Sequence, residues 1–401
     1  MTGQREIVVS ASGAGSSALL SSHVSAQNTV SFKLNIIGST FATATIANLF
    51  PNRKQILRAV GTCLLVCGLL VGVNARSQAG DTPPEGFFVT FDPPGSTLTF
   101  PSAITAAGVV VGSYIDPSGA QHGFLRNADG SFTVCDPPGS ISTTATAVNP
   151  AGTVTGVYND AAGVTHGFLR TGRGTFTNFD APSGFILNSI YTGFGPPPTI
   201  NPSGVIVGTY VDRGGTEHGF LREGNGALST IDVPGSTFTE VLAINPAGTI
   251  TGDFCSTTAC FVGFLRTPEG TFITTDFPGI PFCINPAGTI AGNYTDTNSV
   301  AHVFVRAANG TLTTFDVPGA LNLEVFAINP AGTLTGWYVT DIFHGFLRAT
   351  DGAFTTFDVS GSTGTASMAI NPAGTVTGPF LTQPAGSTAS CSSPAQSLVA
   401  S

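Results

Sequence analysis

Five histidines recur in this chain at fixed distances from an arginine and an aspartate, and these are the residues that could do chemistry. They are His122, His166, His218, His302 and His344. Arginine follows each after four residues and aspartate after fourteen, giving the sets His122, Arg126, Asp136 and His166, Arg170, Asp180 in the first two repeats. Imidazole and carboxylate groups are the usual components of acid–base catalysis. The same groups also satisfy one another inside folded proteins.

Strand geometry favours the structural interpretation. If a tight turn joins two short strands between Arg126 and Ser131, then Asp136 comes to face His122. Arg126 is then about 13 Å away from that pair, at about 3.3 Å per residue. We therefore expect each histidine to pair with the aspartate of its own repeat, and each arginine to find partners in turns or in a neighbouring repeat.

A second aspartate, in the turns that begin at Asp116, Asp160 and Asp212, has the spacing Asp-x-x-Gly. Such turns could contact calcium, but they lack the dense carboxylate spacing of a calcium loop. Ordinary turns are the preferred explanation of this spacing. Nothing in the sequence has the pattern of a nucleophile–base set, a zinc site or a phosphate loop. The sequence thus predicts no catalytic residue, no metal and no cofactor.

The elements that hold these residues come from a repeat of about 44 residues. One glycine of each repeat marks the period, at Gly108, Gly152, Gly204, Gly248, Gly288, Gly332 and Gly374. Each repeat contains four short β-type runs, here called a to d, which are separated by turn signals. Four-stranded units at this period predict an all-β fold, a seven-bladed β-propeller with four-stranded antiparallel blades.

The order of the runs predicts how the ring closes. Run d occurs first at Gly86–Asp92, before any run a, and the last a–b pair, Ala369–Phe380, has no run d after it. We expect these two segments to share the seventh blade, because that removes an exposed edge. The c strand of that blade must come from residues 381–401 or be absent.

The repeats resemble the HAF-type extracellular repeats, a family of bacterial secreted proteins. The match consists of Ile328-Asn329 with Gly332 and Gly336, followed by His344-Gly345-Phe346-Leu347, and it recurs over most of residues 86–380. This chain has glycine where that family has alanine, and arginine where it often has tryptophan. The resemblance implies a secreted repeat protein and carries no known activity or catalytic residue.

Departures from the repeat indicate where a ligand could bind. The distance from the aspartate of run d to the asparagine of the next run a is usually 13 residues, but it is 21 between Asp180 and Asn201. This lengthened segment contributes three aromatic candidates for ligand binding, and two acidic candidates occupy matching linker positions; the five are Phe185, Tyr191, Phe194, Glu240 and Glu324. Variable loops on a rigid scaffold often carry recognition, although neutral drift in loop length explains them too.

The N-terminal region predicts export. Residues 53–79 have a basic start, an apolar run and small residues before Gly80, as a signal peptide does; a membrane anchor is the alternative. Residues 1–52 fit no repeat and are expected to be a disordered leader or an incorrectly assigned start. Residues 80–381 form the propeller, and residues 382–401 a tail that could complete the last blade. In an oxidising compartment we expect Cys255 and Cys260 to form a disulfide.

Charge excludes some partners. From Gly80 onward there are 22 acidic residues and eight arginines, a net charge of −14. Nucleic acids and anionic membranes require a basic surface, so neither is expected as a partner. The sequence favours a secreted, monomeric, non-catalytic binding or surface scaffold for a glycan or protein, in the extracellular space or periplasm. The alternative is an extracellular glycan-active hydrolase or lyase on the same scaffold.

Overall fold

The computed structural model describes residues 88–186, 198–274, 277–298 and 300–382, together with strands within 9–46 and at 395–400. All secondary structure in these residues is β-strand. The chain divides into two compact units, Met1–Gly61 and Thr62–Ser401. No helix that could cross a membrane occurs in the described parts of the chain.

The first unit is a four-stranded antiparallel meander, with strands in chain order. Its strands are β1 (Val9–Gly13), β2 (Ser16–Val24), β3 (Val30–Ile36) and β4 (Ser39–Ile46). They lie in the stretch that the sequence assigns to a leader. The signal peptide predicted at 53–79 lies outside the described residues and stays a prediction.

The second unit contains seven blades. It opens with β5 (Phe88–Phe91), which is followed by the three blades of the first half. Blade 1 has β6 (Leu98–Ile104), β7 (Val110–Ile115), β8 (Gln121–Arg126) and β9 (Phe132–Val134). Blade 2 has β10 (Ser140–Val148), β11 (Val154–Asp160), β12 (Thr165–Arg170) and β13 (Phe176–Phe179). Blade 3 has β14 (Phe185–Ile186), β15 (Thr199–Ile200), β16 (Ile206–Val211), β17 (Glu217–Arg222) and β18 (Leu228–Ile231).

The second half contains four blades. Blade 4 has β19 (Phe238–Ile244), β20 (Ile250–Cys255), β21 (Val262–Arg266) and β22 (Phe272–Ile273). Blade 5 has β23 (Ile280–Ile284), β24 (Ile290–Thr295), β25 (Ala301–Arg306) and β26 (Leu312–Phe315). Blade 6 has β27 (Asn322–Ile328), β28 (Leu334–Val339), β29 (Phe343–Arg348) and β30 (Phe354–Phe357). Blade 7 has β31 (Ser362–Thr365), β32 (Ala369–Ile370), β33 (Val376–Thr382) and β34 (Ala395–Ala400).

The strands of each blade follow the chain from the inside of the ring to the outside. Each a strand contacts the a strand of the next blade, and the series returns from β32 to β6, so the a strands surround the centre. Apolar residues on facing blades form the core; for example, Val157 and Phe179 of blade 2 pack with Ile206 and Phe220 of blade 3. The prediction of a seven-bladed, four-stranded antiparallel propeller is confirmed.

The closure predicted from the order of the runs is also present. β34 pairs with β33 on one side and with β5 on the other, so the first and last parts of the propeller lie in one sheet. The c strand of blade 7 therefore comes from residues 395–400. Because β5 is the outer strand of this blade, neither of these two propeller segments remains as an unpaired end.

Asparagine in the a–b turns joins neighbouring blades. In blade 4, Asn245 Oδ1 accepts the Thr249 N–H at 2.9 Å, which closes its own turn. The Nδ2 group of the same residue donates to the Asn285 carbonyl of blade 5 at 3.4 Å. Equivalent side-chain bonds run from Asn149 to Asn201, from Asn285 to Asn329, and across the closure from Asn371 to Thr105.

Candidate functional site

The recurring histidines lie at the end of the propeller that carries the b–c turns and the d–a linkers. Each is the second residue of strand c and lies opposite a tyrosine of strand b, as His218 pairs with Tyr210 in the register of blade 3. The two rings stack with centroids 5.2 Å apart in that blade. The same contact, at 4.9–5.1 Å, occurs in blades 1, 2, 5 and 6. Cross-strand pairing thus fixes the plane of every imidazole.

Two aspartates flank each of these imidazoles. The aspartate that follows strand d contacts Nδ1: His122 is 2.7 Å from Asp136, and His166 is 2.5 Å from Asp180. The aspartate of the b–c turn lies near Nε2, with Asp116 3.6 Å from His122. The remaining Nδ1 contacts are His218–Asp232 at 2.9 Å, His302–Asp316 at 2.6 Å and His344–Asp358 at 2.8 Å.

The two carboxylate oxygens of a turn aspartate have different partners. In blade 3, Asp212 Oδ1 accepts the N–H groups of Gly214 and Thr216, at 2.8 and 2.9 Å. Its Oδ2 lies 3.5 Å from His218 Nε2. One oxygen therefore orders the turn while the other faces the imidazole. In the part of the chain that the structure describes, no cluster of side chains has the arrangement of a metal site.

These contacts shift the ionisation of both partners. Burial disfavours the charged form of His122, but the hydrogen bonds and charges of Asp136 and Asp116 outweigh this effect and raise its pKa. The pKa of His302 is raised chiefly by its hydrogen bond to Asp316. Hydrogen bonds from the Val164 N–H and from His166 lower the pKa of the Asp160 carboxyl. The clusters of blades 1, 2, 5 and 6 thus favour an imidazolium between carboxylates.

The arginines take no part in these clusters. Arg126 lies over the ring of Phe91, on the outer strand of blade 7, at 5.0 Å from the ring centroid. Three further arginines make the same contact with the preceding blade: Arg222 with Phe179, Arg306 with Phe277, and Arg348 with Phe315. Arg170 Nη1 reaches the Thr171 carbonyl at 3.5 Å. The arginines therefore lie where the sequence analysis expected them, in contact with turns and neighbouring blades.

The position of the insertion differs from the expectation. The sequence suggests a longer d–a linker, but Phe185 already pairs with Val211 and Ile200 pairs with Ile206. The sixteen residues from 185 to 200 thus begin and end opposite the six-residue strand b of blade 3. In blade 4 only seven residues, Phe238–Ile244, lie opposite a strand b of the same length. The extra residues therefore interrupt the innermost strand of blade 3. Tyr191 and Phe194 lie outside the described residues, and Phe185 is described only as part of β14.

The two acidic candidates also lie in a strand and not in a linker. Glu240 and Glu324 occupy equivalent positions on the a strands of blades 4 and 6, and blade 5 separates them. Glu240 is buried, and its partner across the sheet, Asp253, is fully buried. Sequence spacing could not place them, because the strand begins six residues after the aspartate of run d, which is earlier than the turn signals suggest.

Glu324 is a carboxyl group whose ionisation is shifted towards neutrality. Its side chain keeps some accessible surface, yet burial raises its pKa to about 7. Trp337 is its cross-strand partner. A carboxyl group that titrates near neutrality could bind a polar ligand, or exchange a proton with one.

An aromatic contact near Glu324 was not anticipated from the sequence. Phe282 and Phe326 lie at register shifts in the a strands of blades 5 and 6, and their ring centroids are 6.5 Å apart. Phe326 also approaches Trp337 at 6.4 Å. Bulges redirect side chains away from the regular alternation of a strand. In the sequence, each of these phenylalanines stands three positions before the turn asparagine, and this spacing is the signal that could have identified them.

A groove of about 200 Å³ opens at the same end as the histidine clusters. One side is formed by Thr216 and by the first two residues of strand c of blade 3, Glu217 and His218. Asp232 and the linker Val233–Phe238 form the other. Carboxylate, imidazole and hydroxyl groups thus meet around a small concave surface.

The b–c turn of blade 4 is built differently. A disulfide joins Cys255 and Cys260 across it. Cys135 and Cys283 are free and buried, and burial raises the pKa of each thiol, to about 11 and about 12. These two thiols are therefore poor nucleophiles at neutral pH.

No protein-family model and no curated protein sequence matches this chain. Similar solved structures include TolB from Acinetobacter baumannii, with 13% identity over 75% of this chain and 79% of that chain, at a TM-score of 0.39. The BP39L lectin from Burkholderia pseudomallei has 11% identity over 85% and 94%, at 0.38. A puromycin hydrolase mutant has 12% identity over 73% and 52%, at 0.47, so this chain spans about half of its length. The similarity concerns the fold alone.

Proposed function

We propose that this protein is a secreted, non-catalytic binding scaffold whose ligand is a glycan or a protein. The observation that carries the proposal is the chemical difference between the two ends of the propeller. The a–b turns use one asparagine arrangement to join the blades. The opposite end presents the histidine clusters and the groove beside His218. Recognition needs varied, accessible groups on a rigid frame, and the second end supplies them.

The groove suits a hydroxyl-rich ligand such as a sugar. Glu217 and Asp232 offer carboxylate acceptors, and Thr216 and Ser236 offer hydroxyl groups. Short polar contacts of this kind orient a small ligand, although a groove of this size holds only one or two sugar units. Aromatic residues of the insertion, Tyr191 and Phe194, remain proposed contributors to binding, together with Phe185.

A glycan array on the chain starting at Gly80 tests the proposal. We expect binding that Glu217→Gln weakens, because that change removes a carboxylate that lines the groove. Glu223→Gln is the matched control, since Glu223 is an exposed residue of a c–d turn at the other end. Binding of no glycan would contradict the glycan form of the proposal. Equal effects of the two variants would contradict the location of the binding site in this groove.

The insertion is tested separately. A variant shortened by nine residues within 187–197 gives blade 3 an innermost strand of the length found in blade 4. We expect it to fold and to lose affinity for a ligand identified on the array. Unchanged affinity would show that the insertion does not contribute to binding.

A glycan-active hydrolase or lyase is the second candidate, and Glu324 is the observation that favours it. A carboxyl group with a pKa of about 7 is suited to general acid–base work. Catalysis by two carboxyl groups needs them about 5–10 Å apart, whereas Glu240 and Glu324 belong to blades that are not neighbours. Turnover of a polysaccharide that Glu324→Gln abolishes would establish the enzyme.

Secretion is part of the proposal. The resemblance to HAF-type extracellular repeats and the composition of residues 53–79 support it. N-terminal sequencing of exported protein should give a chain that begins at Gly80. Recovery of the protein with residues 53–79 intact and bound to membranes would support an anchor instead. We further propose that the exported protein is a monomer, which size-exclusion chromatography with light scattering tests.

A further inference from the structure

Each of five b–c turns is connected to the outer strand of its blade through one imidazole. Blade 2 shows the arrangement: His166 Nδ1 contacts Asp180 at 2.5 Å, and Nε2 contacts Asp160 of the turn at 3.3 Å. A neutral imidazole carries one N–H and can donate to only one of the two carboxylates. The imidazolium donates on both sides. The full set of contacts therefore requires a protonated histidine.

The contacts span three elements of the blade. The turn aspartate lies at the end of strand b, the histidine is the second residue of strand c, and the second aspartate follows strand d. In blade 6 the turn side is made by Thr340, whose Oγ1 lies 2.9 Å from His344 Nε2, with Asp341 at 3.9 Å. Loss of the proton removes one of the two donors, and the weaker contact, on the turn side, is the one that the neutral ring would give up.

Blade 4 supplies a natural comparison. The histidine position there is Val262, and its cross-strand partner is Phe254 in place of tyrosine. The turn that carries aspartate elsewhere is instead closed by the Cys255–Cys260 disulfide. The histidine, the tyrosine and the turn aspartate are thus all replaced in the one described b–c turn that a covalent bond holds, whereas the sequence keeps the aspartate of run d, Asp276. This replacement indicates that the polar cluster and the disulfide have the same structural role, which is to hold the b–c turn in place.

We propose that the clusters of blades 1, 2, 5 and 6 are proton-dependent clamps, which fix the b–c turns while the histidines are protonated and release them when the proton is lost. In blade 6, Thr340 and Asp341 together take the place of the turn aspartate. The disulfide makes the turn of blade 4 insensitive to pH.

The direction of the pH dependence follows from the ionisation of both partners. The pKa values of His122, His166, His302 and His344 are raised in the folded protein. Their stabilising contribution is therefore complete below the ordinary histidine pKa of about 6.5 and is lost as the pH rises through the folded values. The turn carboxyls have lowered pKa values, as Asp116 does, so their contribution is lost only as the pH falls below about 4.

The tyrosines near the clusters titrate at higher pH than this range. The tyrosines that stack on the rings have raised pKa values in blades 1, 2 and 6, above the ordinary value of about 10. Glu217 lies beside His218 in blade 3 and lines the same groove. With the proton each cluster carries a net charge of −1, and without it −2. Deprotonation therefore also doubles the negative charge of the clusters at this end.

Hydrogen–deuterium exchange of the intact protein tests the clamp. Exchange is measured between pH 5.5 and 9 and corrected for the intrinsic rate at each pH. Peptides that cover the b–c turn of blade 2, around Asp160, should lose roughly two- to fivefold protection across the histidine transition, the range expected for partly exposed ion pairs. Peptides around Cys255 of blade 4 should show no such change. Equal pH profiles in the two turns would overturn the proposal.

Two further measurements identify the group responsible. His166→Gln should make the turn of blade 2 independent of pH and leave the transition of blade 1 unchanged, because glutamine donates but does not titrate. Carbon-13 NMR should show protonated rings for His122, His166, His302 and His344 at pH 6. Neutral rings at that pH, or a pH transition that persists in the blade 2 turn of His166→Gln, would exclude the clamp.

Discussion

A single asparagine side chain makes two kinds of hydrogen bond at four of the a–b turns, which explains why the residue type matters there. Asn371 Oδ1 accepts the Thr375 N–H at 2.9 Å and closes its turn. Its Nδ2 donates to the Thr105 carbonyl of blade 1 at 3.2 Å. Aspartate could accept the first of these bonds but has no N–H to donate the second.

Asn371→Asp should therefore destabilise the protein by about 2 kcal/mol, since it leaves a carbonyl unsatisfied and sets a carboxylate beside it. Urea unfolding followed by fluorescence measures the change. Asn309→Asp is the matched control, because exposed Asn309 only accepts the Thr311 N–H, at 3.0 Å. The control should change the free energy of unfolding by less than about 0.5 kcal/mol. Equal effects would show that the bond between blades contributes nothing.

Glu324 should make stability depend on pH. Burial raises its pKa from 4.5 to about 7, so the folded protein resists ionisation of this group. The free energy of unfolding should fall as the pH rises from about 4.5 to about 7 and then stay level, as far as this residue is concerned. Glu324→Gln should remove that part of the dependence.

The variant should be more stable than the wild type at pH 8, by about 1 to 3 kcal/mol. Urea unfolding at pH 5 and pH 8 measures the difference, and Glu223→Gln in the exposed c–d turn serves as the control. A variant that is less stable at pH 8 would mean that the charged carboxylate has a favourable partner. Because deprotonation of the histidines acts in the same direction, the comparison must use the difference between variant and wild type.

Among the elements, the register shift in the a strands of blades 1, 2, 4, 5 and 6 requires a small residue on the neighbouring b strand. Gly336 of blade 6 faces the shift between Val325 and Ala327. A Cβ atom on Gly336 would lie 1.9 Å from the Glu324 carbonyl oxygen. The glycine therefore permits the close approach of two backbones.

Gly336→Ala should destabilise the protein by about 3 kcal/mol, because the added methyl group would disrupt either the register shift or the pairing of β27 with β28. Thermal unfolding measured by circular dichroism would record the loss. Gly224→Ala is the control, since its Cβ would lie 3.4 Å from the nearest atom, the Ser203 carbonyl oxygen. A tolerated Gly336→Ala would show that the a strand can straighten without cost.

At the scale of the whole molecule, β34 closes the ring. It is the strand that connects β33, near the end of the chain, with β5, at the start of the propeller. Without it, β5 would lose its partner and the b strand of blade 7 would have an open edge.

Truncation after Thr382 should therefore abolish the cooperative thermal transition or lower its midpoint by more than about 10 °C, and should promote aggregation. A synthetic peptide of residues 391–401 added to the truncated protein should restore the midpoint, whereas a peptide with the same residues in scrambled order should not. An unchanged midpoint after truncation would show that the ring is stable without this strand.

Local features of the sequence predicted much of this structure. Asn-Pro-Ala-Gly turns, strand-length runs between them and a period near 44 residues were enough for the blades and their number. The pairing of His122 with Asp136 followed from the register of one hairpin, which depends only on residues close in the chain. The contact of Arg126 with Phe91 could not be specified in this way, because the partner belongs to another blade.

Hairpins and periods are local properties, so the repeat, the four-stranded blade and the closure between Gly86–Asp92 and Ala369–Phe380 could be inferred from the sequence alone. The positions of the departures from the repeat depend on the assembled ring. The tertiary structure moved the insertion from a linker into the innermost strand of blade 3, and Glu240 and Glu324 from linkers into a strands. It also gave Glu324 a pKa of about 7. Burial depends on which blades pack around a residue, and that arrangement exists only when the ring is closed.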